Sequence, residues 1–246
     1  MTYCVGLLMN AGLVLLSDTR TNAGVDNIST FNKMKNWTVP GERMITIMTA
    51  GNLATTQAAI SLLEERASAP EDRAPSIMQA PTMFQVATII GDTLRGVVQS
   101  AANSSGLHSS TFSANMIVAG QIAGSPPRLF MIYPEGNFIE ACDDTPFFQI
   151  GETKYGRPII VRAFEPNMSF EDAVKLLLVS FDSTAKANLS VALPLDMQVY
   201  EQDSLTEGRR FRITGEDAYF QMISKGWGEA LRQAFHALPP FSFENR

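Results

Sequence analysis

The stretch that decides the fold class is residues 2–20, which read TYCVGLLMNAGLVLLSDTR. Apolar side chains occupy every second position of its first half, as in a β-strand with one buried face: Tyr3, Val5, Leu7 and Met9. Asn10-Ala11-Gly12 supplies turn residues, and residues 13–16 are apolar throughout, which is typical of a sheet covered on both faces. The stretch therefore predicts a β-hairpin whose second strand is buried on both sides.

Outward from the hairpin, the pattern predicts an extended pair followed by two helices. The predicted strands are Thr30–Val39 and Met44–Thr49, joined by a turn at residues 40–43. A helix is predicted from Leu53 to about Arg66, followed by a Pro/Ala-rich connection at residues 69–81. The second helix shows apolar residues three and four apart, and polar residues from Asn103 to Ser110 end it: Met83, Ala87, Ile90, Leu94 and Val97.

The second half of the chain repeats this order of strands and then helices. Its predicted strands are Ala114–Ala123, Arg128–Tyr133, Asn137–Ala141 and Phe147–Ile150, with short strands later at Leu189–Ala192 and Met197–Tyr200. One helix begins at Ser169, where Asp172 completes a capping-box-like pattern, and runs to about Asp182. Another begins near residues 214–217.

Strands and helices thus alternate in blocks rather than singly. This order disfavours a doubly wound parallel sheet and favours an α+β fold in which two antiparallel sheets lie between helical layers. No repeat, linker or low-complexity segment divides the sequence, so we expect a single domain over residues 1–246.

The composition narrows the classes of function. The 246 residues carry a net charge of −6 and no dense Lys/Arg patch, which argues against a nucleic-acid partner. No apolar run approaches the length of a membrane span, and the N-terminus lacks a secretory signal, so we expect no membrane partner and a cytoplasmic protein. Two cysteines and two histidines, all far apart, predict no metal site and no cofactor: Cys4, Cys142, His108 and His236.

Thr2 is the first candidate catalytic residue. Removal of Met1 would leave its hydroxyl and a free α-amine on one residue. An α-amine has a pKa near 8, so it can serve as a general base at neutral pH without a histidine. The alternative is an ordinary threonine at the start of a strand.

Three further residues extend the candidate site. Asp18 ends an apolar strand, where it either orients a lysine near the nucleophile or is satisfied by turn amides or Arg20. Lys33 and Lys35 lie on one face of the next strand, and the alternative for each is a surface lysine. Gly51, between a strand and a helix, either lets backbone N–H groups approach a developing oxyanion or is a plain turn glycine.

Taken together, these residues resemble the start of proteasome β-subunits. Thr-x-x-Val-Gly at 2–6, the apolar strand ending Asp18-Thr19-Arg20, Lys33-Met34 and Ala50-Gly51 follow the family's order. We take Lys33 rather than Lys35 as the family lysine because it keeps the Lys-apolar pair. Residues 28–34, 151–156 and 182–186 look like the bacterial Anbu (ancestral β-subunit) group.

The resemblance implies the N-terminal-nucleophile hydrolase fold, a four-layer α-β-β-α sandwich. It implies a threonine peptidase or amidase in which Thr2 attacks, Asp18 and Lys33 assist, and Gly51 binds the oxyanion. Other matching positions would line the substrate channel, which favours a small or apolar substrate side chain: Thr21, Thr49 and Leu53. The positions that reinforce the nucleophile's amine in the family are altered here, and their counterparts are Glu152, Asp182 and Ser183.

The resemblance also implies a homo-oligomer, ring-like or helical, with peptide or amide substrates and room for an unfoldase partner. Two other functions remain open: a ring-forming assembly protein with little or no hydrolase activity, and an amidase for one specific small or isopeptide-like substrate. The altered amine-supporting positions favour the assembly protein.

Overall fold

The hairpin of residues 2–20 lies at the centre of the first sheet. The computed structural model describes residues 2–22, 28–69 and 71–243. Strands β1 (Tyr3–Met9) and β2 (Gly12–Asp18) pair antiparallel, and Gly12 closes their turn with φ +145°. A Cβ on Gly12 would lie 2.0 Å from the carbonyl oxygen of Tyr200, so this turn requires glycine.

Two antiparallel sheets make up the interior of the described molecule. The second sheet follows the order β5-β6-β7-β8-β9, and a short pair β3-β4 stands apart. The first sheet has the order β10-β1-β2-β11-β12. The remaining strands are β3 (Arg20–Asn22), β4 (Ile28–Thr30), β5 (Met34–Val39), β6 (Arg43–Gly51), β7 (Ala114–Ile122), β8 (Arg128–Ile132), β9 (Phe138–Glu140), β10 (Phe147–Gly151), β11 (Leu195–Glu201) and β12 (Arg209–Ile213).

Helices cover the outer faces of both sheets. They are α1 (Leu53–Ser68), α2 (Met83–Ser105), α3 (Arg157–Ala163), α4 (Phe170–Ala187) and α5 (Ala218–Ala237), with a short 3-10 turn at Ser109–Phe112. Side-chain oxygens of Asn52, Thr82, Ser169 and Asp217 accept backbone N–H groups of the first turns of α1, α2, α4 and α5. These caps satisfy donors that a helix leaves free, which fixes where each helix begins.

Three buried apolar clusters hold the layers together. One lies between the two sheets and includes Leu13, Leu15, Met48, Ile117 and Phe148. A second joins α1 and α2 to the second sheet, and a third joins α3, α4 and α5 to the first sheet. The predicted α-β-β-α sandwich is therefore confirmed, and β2 is covered on both faces as its apolar run predicts.

Several predicted boundaries were wrong. Residues 189–192 form no strand but a turn after α4, and the strand predicted from Thr30 is split, because β4 ends at Thr30 and β5 begins at Met34. Helix α4 runs to Ala187, past the predicted end. Helix α3 and strand β12 had no counterpart in the pattern. No helix among the described residues is long and apolar enough to span a bilayer.

Candidate active site

The open end of the β1-β2 hairpin brings residue 2 beside the end of β2. The backbone N–H of Tyr3 donates to Asp18 Oδ1 at 2.8 Å. On the other side, β1 pairs with β10, and the N–H of Glu152 donates to the carbonyl oxygen of Thr2 at 2.7 Å. Thr2 is buried, and a Cβ on Gly151 would lie 2.1 Å from its carbonyl oxygen, so that glycine is required for the close approach. Residue 2 is thereby fixed between two strands.

Asp18 and Lys33 form a buried ion pair next to residue 2. Lys33 Nζ lies 2.8 Å from Asp18 Oδ1, and the two side chains are 6% and 0% exposed. Lys33 Nζ also donates to the carbonyl oxygen of Arg20 at 2.6 Å. Burial raises the pKa of the Asp18 carboxyl above its usual value, although the Lys33 ammonium and the Tyr3 N–H oppose that rise. For the Asp18 carboxylate, the cost of desolvation therefore outweighs the attraction of the Lys33 ammonium.

The second oxygen of Asp18 has no hydrogen-bond partner. Its Oδ2 is buried, and no described group donates to it; the hydroxyls of Ser17 and Thr21 are likewise buried without partners. Buried polar atoms of this kind are rare in folded proteins and each calls for an explanation. Ser17 and Asp18 lie at the hairpin end where the nucleophile is expected, and Thr21 follows in β3.

The structure brings Lys33, not Lys35, to Asp18. Lys35 Nζ instead lies 3.2 Å from Glu64 Oε1 on α1, and these side chains are 39% and 45% exposed. Lys33 precedes β5 directly, and its carbonyl oxygen accepts the N–H of Thr49 at 3.0 Å. This backbone hydrogen bond to β6 sets the direction in which the Lys33 side chain leaves the strand.

Gly51 ends β6 one residue before the cap of α1. Its φ is +118°, and a Cβ would lie 2.5 Å from the carbonyl oxygen of Ser113 and 2.7 Å from Ala114 Cα. Only glycine fits both the conformation and the space. The following N–H groups open the N-terminus of α1, which carries partial positive charge. That Gly51 holds an oxyanion stays a prediction of the sequence.

A pocket of about 370 Å³ opens beside Lys33. Thr49 and Leu53, two of the predicted substrate-binding residues, line it, and Lys33 forms part of its wall. The third predicted residue, Thr21, lies in β3 and is not among the residues that line it. Most of the remaining wall is polar or charged: Asn32, Lys35, Gln57, Ser61 and Glu64.

The three supporting residues meet different partners. The Glu152 carboxylate accepts the N–H of Lys154 at 3.1 Å and the side-chain amide of Asn188 at 2.9 Å, so Glu152 reaches Thr2 through its backbone N–H. Asp182 is nearly buried and pairs with Lys186 at 2.7 Å. Ser183, the next residue on α4, is half-buried.

Sequence reasoning missed Ser180, and the burial of Cys4 removes a possible rival nucleophile. The hydroxyls of Tyr3 and Ser180 lie 2.6 Å apart, which ties β1 to α4; a serine in the apolar face of α4 was the available signal. Cys4 is fully buried, its thiol donates to the Thr49 carbonyl at 3.7 Å, and burial raises the pKa of that thiol. A buried protonated thiol is a poor nucleophile, so Cys4 does not compete with Thr2.

No group of three or more His, Cys, Asp or Glu side chains that could hold a metal occurs within residues 2–22, 28–69 and 71–243. At the hairpin end, Thr2 carries a hydroxyl, Asp18 a carboxylate and Lys33 an ammonium, with the backbone N–H groups of Tyr3 and Glu152 beside them. Such a set can perform nucleophilic acyl transfer by general acid–base chemistry.

The comparisons with known proteins agree with this geometry. The proteasome subunit family model matches residues 2–192. Anbu (ancestral beta-subunit) from Yersinia bercovieri is 47% identical, with 98% of this chain and 100% of that chain covered and a TM-score of 0.91. Anbu from Hyphomicrobium sp. strain MC1 is 48% identical, with 98% and 99% covered and a TM-score of 0.88.

The helical assembly of the Anbu complex from Pseudomonas aeruginosa is 42% identical, with 99% of this chain and 100% of that chain covered and a TM-score of 0.92. Among curated proteins, none matches the chain significantly. The family model matches most of the chain, and these relatives are more than 40% identical over nearly their full length. Together these matches establish the family of the chain. The chain belongs to the proteasome subunit family, on its Anbu (ancestral β-subunit) branch.

Proposed function

We propose that this chain is a threonine-type peptidase or amidase that forms an acyl-enzyme on Thr2 after Met1 has been removed. The observation that carries the proposal is the position of Asp18, whose Oδ1 accepts both Lys33 Nζ and the N–H that follows Thr2, each at 2.8 Å. One buried carboxylate thus holds an ammonium beside the proposed nucleophile. Met1 lies outside the described residues.

In the first step, Thr2 Oγ attacks the substrate carbonyl carbon while its proton passes to the free α-amine of Thr2, directly or through a water. The Lys33 ammonium favours the alkoxide and lowers the proton affinity of the amine. The resulting oxyanion accepts the N–H of Gly51, a contact of a kind that contributes about 3–4 kcal/mol to the transition state. The protonated amine then gives its proton to the leaving nitrogen as the C–N bond breaks.

In the second step, a water attacks the ester carbonyl of the acyl-enzyme. The α-amine takes a proton from this water and returns it to Thr2 Oγ when the ester bond breaks. Asp18 stays ionised through both steps and keeps Lys33 in place. Glu152 supports Thr2 through its backbone N–H alone, because its carboxylate is bonded to Lys154 and Asn188. Asp182, paired with Lys186, and Ser183 act at a distance.

The substrate side chain nearest the cleaved bond enters the pocket beside Lys33. Thr49 and Leu53 line this pocket together with the ion-paired Lys35 and Glu64. We therefore propose a hydrophilic side chain there, in place of the small or apolar one that the family resemblance implies. Thr21 would contact the substrate from β3, outside this pocket.

The test uses a peptide epoxyketone, whose two electrophilic carbons react with a hydroxyl and an amine of the same residue. Chain that has lost Met1 is expected to gain the mass of one inhibitor, located on Thr2 by peptide mapping. Thr2→Ala should gain none, and Thr2→Ser should retain some reaction because it keeps both groups. A trimmed wild-type chain that forms no adduct, or forms it elsewhere, would reject the proposal.

A ring-forming assembly protein with little or no hydrolase activity is the second candidate. The specific observation in its favour is that the Glu152 carboxylate is already bonded to Lys154 and Asn188, so it does not support the amine of Thr2. Retention of Met1 in the mature chain would favour this candidate. An amidase for one specific substrate would share the Thr2 site with a peptidase. Comparing the turnover of simple amides with the turnover of peptides distinguishes these two activities.

The same proposal includes a homo-oligomer, in a ring or a helix, built from a single domain per chain. The helical assembly named for the Pseudomonas aeruginosa relative supports it. We place the protein in the bacterial cytoplasm, as its family suggests, and leave its unfoldase partner unspecified. Light scattering tests the assembly: a chain that stays at its 26.9 kDa monomer mass at every concentration would refute it.

A further inference from the structure

Helix α5 packs on the molecule only through its first half. Phe220 is the one residue of α5 that is buried, and it contacts Phe181 of α4 with ring centroids 5.9 Å apart. Ile223 packs against the same cluster. From Glu229 to Ala237, every residue of α5 is exposed. We call residues 229–243 the C-terminal arm.

The C-terminal arm is amphipathic and its apolar residues face solvent. Five large side chains are half exposed or more: Leu231 50%, Phe235 71%, Leu238 66%, Phe241 60% and Phe243 86%. At roughly 200 Å² for a whole large side chain, they expose on the order of 600 Å². That equals or exceeds the largest apolar patch of an ordinary monomer, about 300–600 Å², and approaches the ~800 Å² that each partner contributes to a stable interface.

A matching apolar groove lies beside the packed half of α5. It has a volume of about 850 Å³ between α3, α4 and α5, and we call it the α3–α5 groove. Its floor and walls are mostly apolar: Ile159, Met168, Leu176, Val179, Met222 and Trp227. Glu165, Asp172 and Lys175 lie among its lining residues and bring one net negative charge. Glu229 and Arg232 of the C-terminal arm cancel each other, so the match between arm and groove rests on apolar surface.

The arm cannot fill the groove of its own chain. Met222 and Trp227 of the same continuous helix form one wall of the groove, and Ala230, at the start of the arm, ends that wall; the rest of the arm leads away from it. The helix continues for seven residues beyond Ala230, about 10 Å at 1.5 Å per residue. Pro239-Pro240 then favours an extended chain rather than a reversal.

We propose that the C-terminal arm of one copy docks into the α3–α5 groove of a second copy of this chain. The proposal rests on the homo-oligomer proposed above and names the contact that builds it. Apolar residues three and four apart on the arm would enter the groove side by side, as amphipathic helices enter apolar grooves elsewhere. Both surfaces belong to every copy, so the contact can close into a pair or propagate along a ring or helix.

The first test compares assembly masses by sedimentation velocity over a range of concentrations. The double variant Phe235→Ser/Leu238→Ser is expected to need at least about tenfold more protein to assemble, since it removes two central apolar contacts. Met222→Glu, in the groove, should act likewise. Leu189→Ser is the matched control, because Leu189 is 88% exposed and lies on the loop after α4; it should assemble as wild type does.

The second test uses mixed cysteine variants in a Cys142→Ser background, where Cys4 is buried. Chains carrying Phe243→Cys are mixed with chains carrying Met222→Cys and treated with a short bis-maleimide. A heterodimer in the mixture, and not in either chain alone, is expected.

Absence of that band, or arm variants that assemble as wild type does, overturns the docking proposal while leaving the oligomer itself standing. A wild-type chain that is monomeric throughout overturns both. The hydrolase proposal is tested by a different measurement, the reaction of Thr2 with the epoxyketone, so its failure can be told apart from failure of the docking proposal.

Discussion

Asp18 links the two groups on which the proposed chemistry depends, and stability alone does not account for it. Its carboxylate is fully buried, one oxygen has no partner among the described residues, and its pKa is raised by that burial. A buried ion pair of this kind is often no more stabilising than a neutral replacement of the same shape. The position of Asp18 between Lys33 and the N–H after Thr2 therefore favours a functional reason for its charge.

The two lysines provide a matched pair of substitutions. Lys33→Ala is expected to slow epoxyketone reaction at Thr2 by at least about 100-fold, because the hydroxyl loses the charge that supports its deprotonation. Lys35→Ala removes only an exposed pair with Glu64, worth about 0–1 kcal/mol, and should change the rate less than about fivefold. Intact-mass kinetics measures both. A larger loss of reaction rate in Lys35→Ala than in Lys33→Ala would show that Lys35, and not Lys33, has the catalytic role.

Asp18→Asn tests the charge itself through the pH dependence of stability. Because the folded pKa is raised above the unfolded value near 3.9, Asp18 contributes stability that is present below about pH 4 and lost as pH rises through the folded pKa. Wild type should therefore lose free energy of unfolding relative to Asp18→Asn as pH rises from 4 towards neutrality. Urea unfolding of both chains measures the difference; a difference that grows in favour of wild type contradicts the raised pKa.

Met1 decides whether Thr2 has a base. With any residue attached, the nitrogen of Thr2 is an amide without a basic lone pair, and general-base help is commonly worth about 10²–10⁴-fold. A chain carrying a cleavable extension directly before Thr2 should be inert to the epoxyketone and become reactive after cleavage. The same preparation before and after cleavage is its own control. Equal reaction in both forms would place the nucleophile elsewhere.

At the scale of elements, the sequence predicts what is strongly periodic. The alternation of residues 3–9, the apolar run of residues 13–16 and the capping-box-like pattern at Ser169 all locate elements correctly. Helix α3 was missed because it has only seven residues, with Pro158 in its first turn. Strand β12 was missed because its sequence is Arg-rich and its first four residues are exposed at a sheet edge.

The parts of the candidate site that depend on residues close together in the sequence were predictable. Asp18 and residue 2 meet because a hairpin has a fixed register, and Gly51 stands where a strand gives way to a helix. The bond from Asn188 to Glu152 joins residues 36 apart, and it depends on where α4 ends, which the pattern placed too early. The polar wall of the pocket likewise depends on α1 packing beside β5, which periodicity does not fix.

The junction of β6 and α1 carries its own prediction. Gly51→Ala is expected to lower the free energy of unfolding by about 1–3 kcal/mol, since the φ of +118° and the contact with Ser113 both oppose a side chain. Epoxyketone reaction should fall by about 10²–10³-fold, because the N–H moves from the oxyanion. Gly41→Ala is the control: its φ is +79°, yet nothing lies within 4 Å of the added Cβ.

Chemical denaturation and inactivation rates separate the two effects of Gly51→Ala. Gly41→Ala should lose a comparable part of its stability from backbone strain and none of its reactivity. If Gly51→Ala keeps wild-type reactivity while losing stability, Gly51 serves the turn only and does not hold the oxyanion.

At the scale of the whole molecule, the two helical layers end differently. Helices α1 and α2 pack an apolar face against the second sheet, although Leu62 and Phe84 are exposed. In the helical layer on the first sheet, the second half of α5 does not pack on the molecule, and the apolar residues of the C-terminal arm are exposed. A projecting helix of this length is marginal in water by itself, because helices draw most of their stability from packing. Assembly is therefore expected to stabilise the fold as well as to group the Thr2 sites.

This coupling predicts a melting temperature that depends on concentration. A partner that binds only the folded chain stabilises it by mass action, so Tm of wild type should rise as protein concentration increases. For Phe235→Ser/Leu238→Ser the dependence should be weaker over the same range, while Leu189→Ser should follow wild type. Thr2→Ala should also follow wild type, because residue 2 lies away from the C-terminal arm. Differential scanning calorimetry at several concentrations measures this, and a wild-type Tm that stays constant would show that folding and assembly are independent.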